Sequence, residues 1–112
     1  MVSPSYTPDR GDLVWLNFTP QSGHEQAGKR PALVLSPSKY NVRTGLLIAC
    51  PVTSKVKGYP FEAVIQGRSI QGVVLSDQVK SLDWRAREAE LIEKAPQATL
   101  KEVQEKLLLL LK

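Results

Sequence analysis

The chain has 112 residues, 42% hydrophobic and 23% charged, a balance that suits one globular domain over residues 1–112 and leaves too little length for a second. Its single cysteine, Cys50, excludes an internal disulfide, and its longest leucine run, Leu107–Leu111, falls far short of the roughly 20 apolar residues of a membrane-crossing helix. Fifteen Lys and Arg against eleven Asp and Glu give a net charge of only +4, so any argument about a charged partner must come from how the charge is distributed.

Residues 1–10 are polar, with Pro4 and Pro8, and are expected to form an extended lead-in. Met1–Ser5 lacks the basic start and apolar core of a signal peptide, which points to a cytoplasmic protein. Gly11-Asp12 reads as a turn, and Leu13–Phe18, rich in β-branched and aromatic residues, as the first strand. Thr19-Pro20 breaks it, and a polar loop runs on to Gly28, longer than a simple hairpin needs. Pro31–Leu35 is predicted as the second strand, its consecutive apolar residues implying burial on both faces. Ser38–Val42 should make a short helical turn and Thr44-Gly45 a turn. Leu46–Thr53 is the third strand, in which Pro51 implies an edge position or a bulge. Cys50, in an apolar run, reads as a small buried hydrophobe. A basic loop follows from Lys55 to Pro60, then a fourth strand Phe61–Ile65, a turn Gly67–Gly72 and a fifth strand Val73–Lys80. Leu82–Arg85 is expected to turn the chain into a sixth strand, Ala89–Ala95.

Pro96 ends that strand. Thr99 and Glu102 have the spacing of a capping box, and Leu100, Val103, Leu107 and Leu110 or Leu111 recur at helical spacing. A helix from about Leu100 to Leu111 with Thr99 at its N-cap is therefore predicted. Its last turn is apolar all round, more than a small barrel can bury, so part of it is expected to meet a partner chain. Short strands with glycine and proline turns, followed by one helix, indicate a small, mostly β barrel with a C-terminal helix.

Between Lys29 and Phe61 the chain carries Lys29, Arg30, Lys39, Arg43, Lys55 and Lys57 and no acid, with Tyr40, Tyr59 and Phe61 interspersed. A basic block mixed with aromatics suits a polyanion with stackable bases, and equally a plain solvated surface. No phosphate-binding glycine loop or dinucleotide fingerprint is present, and the lone histidine, His24, stands far from Cys50. No cofactor and no metal are therefore expected.

Gly23–Pro31 (GHEQAGKRP), followed by ALVLSPSKYN, CPVTS and KGYPFE, resembles the MazF/PemK toxins of bacterial toxin–antitoxin pairs. The likeness runs from Tyr6 to about Arg87 and is weaker from Glu88 onward. The resemblance implies a compact SH3-like barrel of the MazF/CcdB type that pairs as a homodimer. It also implies a metal-independent endoribonuclease acting on single-stranded RNA and held in check by an antitoxin with an acidic, partly disordered tail.

Metal-free RNA cleavage takes its nucleophile from the substrate's own 2′-hydroxyl. The protein must hold that oxygen in line with the departing 5′-oxygen, stabilise the phosphorane's charge and move protons. The resemblance places catalysis at Arg30 and Thr53, and gives Glu25 the role of base or of orienting Arg30. An arginine stays protonated and can grip two phosphoryl oxygens, and a threonine hydroxyl can donate to one. On the residues alone, Arg30 fits equally an ion pair with Asp77 or Glu25, and Thr53 an ordinary strand residue. RNA contacts are expected at Phe18, His24, Gln26, Ser54, Lys57, Gln78 and Lys80, through stacking, base-edge and phosphate contacts. Period-two spacing puts Gln78, Lys80 and Ser76 on one strand face. His24 and Lys29 depart from the commonest motif forms and bear on specificity. The alternatives are a barrel toxin that binds a protein target such as gyrase, as CcdB proteins do, and a plain RNA-binding module.

Overall fold

The computed structural model describes residues 6–18 and 28–112. Among the described residues seven strands form one curled, half-barrel sheet: β1 (Asp12–Phe18), β2 (Gly28–Val34), β3 (Leu46–Thr53), β4 (Glu62–Gln66), β5 (Gln71–Leu75), β6 (Lys80–Asp83) and β7 (Glu90–Lys94). Helix α1 (Ser38–Thr44) joins β2 to β3, and helix α2 (Gln97–Leu111) follows β7. The order across the sheet is β4-β5-β3-β2-β1-β7, and β6 also pairs with β3.

The consecutive apolar residues of β2 do bury on both faces. Leu33 joins one core with Leu13, Cys50, Ile65 and Val74, beneath Leu100 and Val103 of α2. Ala32 and Val34 face the other way, into a second core with Val14, Leu16, Leu47, Ala49 and Trp84. At about 1.5–3 kcal/mol for each large side chain taken out of water, these two clusters outweigh the polar contacts of the surface. Trp84 also donates from Nε1 to the Asn41 carbonyl at 2.9 Å, fastening α1 over the second core.

Pro51 does not mark an outer edge, because β3 lies mid-sheet. Ile48 exchanges its backbone bonds toward the β2 side, with the Leu35 N–H and the Ser36 hydroxyl. By alternation the missing N–H of Pro51 faces the opposite side. There the partner changes from β6, ending at Ala49↔Lys80, to β5, beginning at Val52↔Val74. The proline thus occupies the one step at which β3 has no neighbour to bond on that side.

Two other expectations change. The single fifth strand is two: the chain leaves β5 at Leu75, turns at Ser76-Asp77, and Lys80–Asp83 pairs with β3 where a turn at Leu82 was expected. Period two therefore does not hold across 76–80, and Ser76 is fully buried, apart from the exposed Gln78 and Lys80. Helix α2 starts at Gln97 behind Pro96, with no side-chain cap, and the capping box does not form. The Thr99 hydroxyl instead donates to the Val64 carbonyl at 3.2 Å, and Lys106 Nζ donates to the carbonyls of Pro60 and Glu62, both at 2.8 Å. These groups cover the open edge of β4, which would otherwise invite another strand. Leu108–Leu111, more apolar surface than a small barrel was expected to bury, are exposed at 51–69%.

Asp12, 1% exposed, ties the lead-in to the sheet. It accepts from the Tyr6 hydroxyl at 2.8 Å, from the Asp9 N–H at 3.0 Å and from Lys94. Burial, and then the bond to Asp12, raise the Tyr6 pKa; the same carboxylate raises that of Lys94. Both groups bind their protons more tightly folded than unfolded. Their contribution is complete below about pH 10 and is lost as pH climbs beyond it. Urea denaturation of the wild type should show a midpoint that falls above about pH 10. Tyr6→Phe should cost about 1–2 kcal/mol at pH 7 and make that alkaline fall shallower; an unchanged alkaline slope would place the titration elsewhere.

Candidate active site

β2 and β3 pair from Val34↔Ala49 through Leu33↔Cys50 to Ala32↔Pro51, and the ladder stops there. Leu35 donates to Ile48, so odd-numbered residues of β2 turn their backbone groups toward β3. Pro31 has no N–H to offer, and the strands part beside it. Continuing the register brings Arg30 opposite Thr53, one step past the proline and at the mouth of the opening. β2 begins at Gly28, so Arg30 stands inside the strand, held by its pairing with Leu16 of β1, and not at the junction with the loop. Its rigid base and exposed side chain are what a phosphate-gripping guanidinium requires. Among the described residues no side chain ion-pairs with Arg30; Asp77, one candidate partner, accepts from the Tyr59 hydroxyl at 2.7 Å instead.

Thr53 Oγ1 accepts the Lys55 backbone N–H at 3.1 Å. That bond uses a lone pair and orients the side chain while leaving the hydroxyl proton available for an outside acceptor. Arg30 and Thr53 border two adjoining grooves. The larger, about 950 Å³, is floored by Ala32, Ala49 and Pro51. Of the expected RNA contacts, Phe18, Lys57, Gln78 and Lys80 line it. Ser54 lies in the smaller groove, about 480 Å³. His24, Glu25 and Gln26 lie outside the described residues. Phe18 is half-buried with the Arg87 guanidinium 5.0 Å from its ring centre, so part of its π-surface is already covered.

The larger groove is cationic through Arg30, Lys55, Lys57 and Lys80, and the two acids that line it among the described residues, Glu62 and Asp77, are engaged elsewhere. Glu62 is buried and accepts three successive backbone N–H groups, from Lys57, Gly58 and Tyr59, at 3.0–3.3 Å. One carboxylate thus shapes the basic loop from beneath, with its charge spread over backbone donors. Glu62 was missed as a functional residue in the sequence, although it closes the KGYPFE stretch, because nothing linear shows that its oxygens turn back under the loop. The bond to Asp77 raises the Tyr59 pKa, which keeps the phenol a donor. Cys50 borders the groove, but burial, and then the Asp77 charge, push its thiol up to about 12, which fits a hydrophobe and not a nucleophile. No helix among the described residues is long and apolar enough to cross a membrane.

The family described as PemK-like, MazF-like toxin of type II toxin-antitoxin system matches residues 9–111. The endoribonuclease toxin MazF of Escherichia coli K12 is 57% identical over 89 residues, 80% of this chain and 79% of that protein. The endoribonuclease PemK of Escherichia coli is 33% identical over 100 residues, 85% of this chain and 75% of that protein. Among solved structures, MazE-MazF from Deinococcus radiodurans (Form II) superposes with a TM-score of 0.91 at 60% identity, covering 96% of this chain and 97% of that one.

Proposed function

The chain belongs to the PemK-like, MazF-like toxins of type II toxin-antitoxin systems, and on that premise we propose that it is an endoribonuclease toxin that cuts single-stranded RNA, mainly mRNA, at the Arg30–Thr53 pair. The observation that carries this reading is the pair's place: both residues lie just beyond the last β2–β3 pair, and both border the same basic groove.

In this reading the substrate's 2′-hydroxyl attacks the neighbouring phosphorus and the bond to the 5′-oxygen breaks. The products are a 2′,3′-cyclic phosphate and a 5′-hydroxyl. The 2′ proton passes to a base, the role given to Glu25, and the leaving oxygen takes a proton in return. Arg30 neutralises the charge that accumulates on the phosphoryl oxygens, and the Thr53 hydroxyl donates to one of them. Lys57 and Lys80 hold flanking phosphates, and Gln78 meets a base edge. His24 and Gln26 are assigned to substrate contact on the family motif alone.

The Deinococcus relative was solved as MazE-MazF, which supports a cognate antitoxin here as well. An acidic, partly disordered tail would order along the same cationic groove and displace RNA. The exposed Leu108–Leu111 supports a homodimer, since four adjoining apolar side chains left in water favour association. A cytoplasmic location follows from the proposed mRNA substrate.

The test is a long unstructured RNA incubated with pure protein in EDTA, with the ends mapped. Discrete cuts bearing cyclic-phosphate and 5′-hydroxyl ends are expected. Intact RNA bound with a steep salt dependence would support a binding module instead.

A further inference from the structure

The smaller groove adjoins the main one and shares Arg30, Pro31, Val52, Thr53 and Lys55 with it. It is walled by the turn between β4 and β5, with Ser69, Ile70 and Gln71 facing Lys29, Arg30 and Lys55. We propose that this groove is a second RNA subsite, which takes the nucleotides on one side of the scissile phosphate while the main groove takes those on the other, with Ser69 and Gln71 as specificity-determining residues. The inference rests on the endoribonuclease reading and adds to it a wall that the family motifs do not include.

Three observations carry it. First, the groove has the composition of an RNA site. Its polar side chains are cations, hydroxyls and an amide, set beside Pro31, Val52 and Ile70, and among the described residues no acid lines it. Lys29 is paired with Glu90 at 2.7 Å, but both side chains are about half exposed. Such a pair contributes little, so a phosphate can replace the carboxylate at low cost.

Second, the wall is fixed. The Glu93 carboxylate accepts the backbone N–H groups of Arg68, Ser69 and Ile70 at 3.0–3.3 Å, pinning the turn to β7. Three charge-assisted bonds on one turn are more than a spacer between strands needs. They turn the Glu93 carboxylate toward the backbone, and its charge is taken up there.

Third, the wall is seated against the catalytic strand. Gly72, at φ +144°, lies so close to β3 that a Cβ would press into the Thr53 carbonyl and sit 3.1 Å from Ser54 Cα. The absent side chain lets the hairpin abut the residue assigned to catalysis. Ser69 and Gln71 are exposed beside it, with donors and acceptors open to the groove.

The test measures affinity for an RNA carrying a mapped cut site, with a 2′-deoxy sugar at the scissile position so that binding is read without cleavage. Ser69→Ala/Gln71→Ala is compared with wild type on the full RNA and on versions truncated just 5′ or just 3′ of the cut. Both residues are exposed, so thermal unfolding should be unchanged. The double variant should bind the full RNA about tenfold more weakly. One truncation, and only one, should erase that difference to less than about twofold, because it removes the nucleotides that the turn contacts. Equal affinity of variant and wild type for the full RNA, or a loss that persists on both truncations, overturns the subsite. Failure of wild type to cut the all-ribose RNA would instead overturn the endoribonuclease reading.

Discussion

Replacing Arg30 with alanine should lower RNA cleavage by about 10²–10³-fold, the usual cost of removing one group that stabilises charge in the transition state. The side chain is exposed, and β2 keeps its pairing with β1 whatever residue stands there, so stability should stay within about 0.5 kcal/mol of wild type. The loss should appear mainly in kcat, since the phosphorane carries more charge than the bound diester and Lys55, Lys57 and Lys80 remain to hold RNA. Arg30→Lys should recover only part of the activity, because an ammonium keeps the charge but cannot grip two oxygens in one plane. Thr53→Val, which keeps the β-branched shape and removes the hydroxyl, should give a smaller loss in kcat. Cleavage that survives in Arg30→Ala with unaltered kcat would remove this residue from the chemistry. A loss confined to KM would make it a binding residue.

Gly72→Ala should be the most damaging single methyl in the protein. At φ +144° any side chain is strained, at roughly 1–3 kcal/mol. The added carbon also meets backbone, the Thr53 carbonyl, which cannot swing aside as the tip of a long side chain can. Overpacking adds a typical 1–3 kcal/mol, for a total of about 2–6 kcal/mol. At about 4 °C per kcal/mol, where the ranges for smaller and larger domains meet, the unfolding temperature should fall by roughly 8–24 °C. The damage should reach function as well. If β5 yields by moving off β3, the pairs Val52↔Val74 and Thr53↔Val73 loosen, and Thr53 loses its support. Folded Gly72→Ala protein, assayed well below its midpoint, should therefore cut more slowly than wild type. By contrast Gly58, at φ +81°, has open space where a Cβ would go, so Gly58→Ala should cost only backbone strain. Equal destabilisation by the two substitutions would mean that the close approach to Thr53 is not what Gly72 serves.

Local pattern alone was enough for much of the fold. The apolar run of β2, the bounds of β3, the helix at the C-terminus and its inward positions Leu100, Val103 and Leu107 are all legible in the linear chain. Periodicity and turn chemistry are local properties, and these elements obey them. Of the basic block between Lys29 and Phe61, Arg30, Lys55 and Lys57 line the larger groove, Lys39 and Arg43 do not, and Lys80 joins from outside the block.

The rest depends on which segments meet, and linear order does not carry that information. Val73–Lys80 reads as one strand because its residues suit a strand throughout. It breaks at Ser76 because β3 offers β5 and β6 two separate stretches of the same edge. Thr99 has the spacing of an N-cap, yet its hydroxyl goes to Val64, where a carbonyl on the edge of β4 needs a donor. Glu62 and Glu93 look like solvated acids. Only the folded chain shows each gathering three backbone N–H groups and setting a wall of a groove. Pro51 and Pro31 show the division most plainly. Sequence says that each removes a hydrogen bond, and the sheet decides where that loss falls. At Pro51 it falls where β3 changes partner, and at Pro31 where the β2–β3 ladder has ended and Arg30 and Thr53 border the opening. Hydrogen-bonding capacity is a property of the residue, whereas its satisfaction is a property of the neighbours that only tertiary structure supplies.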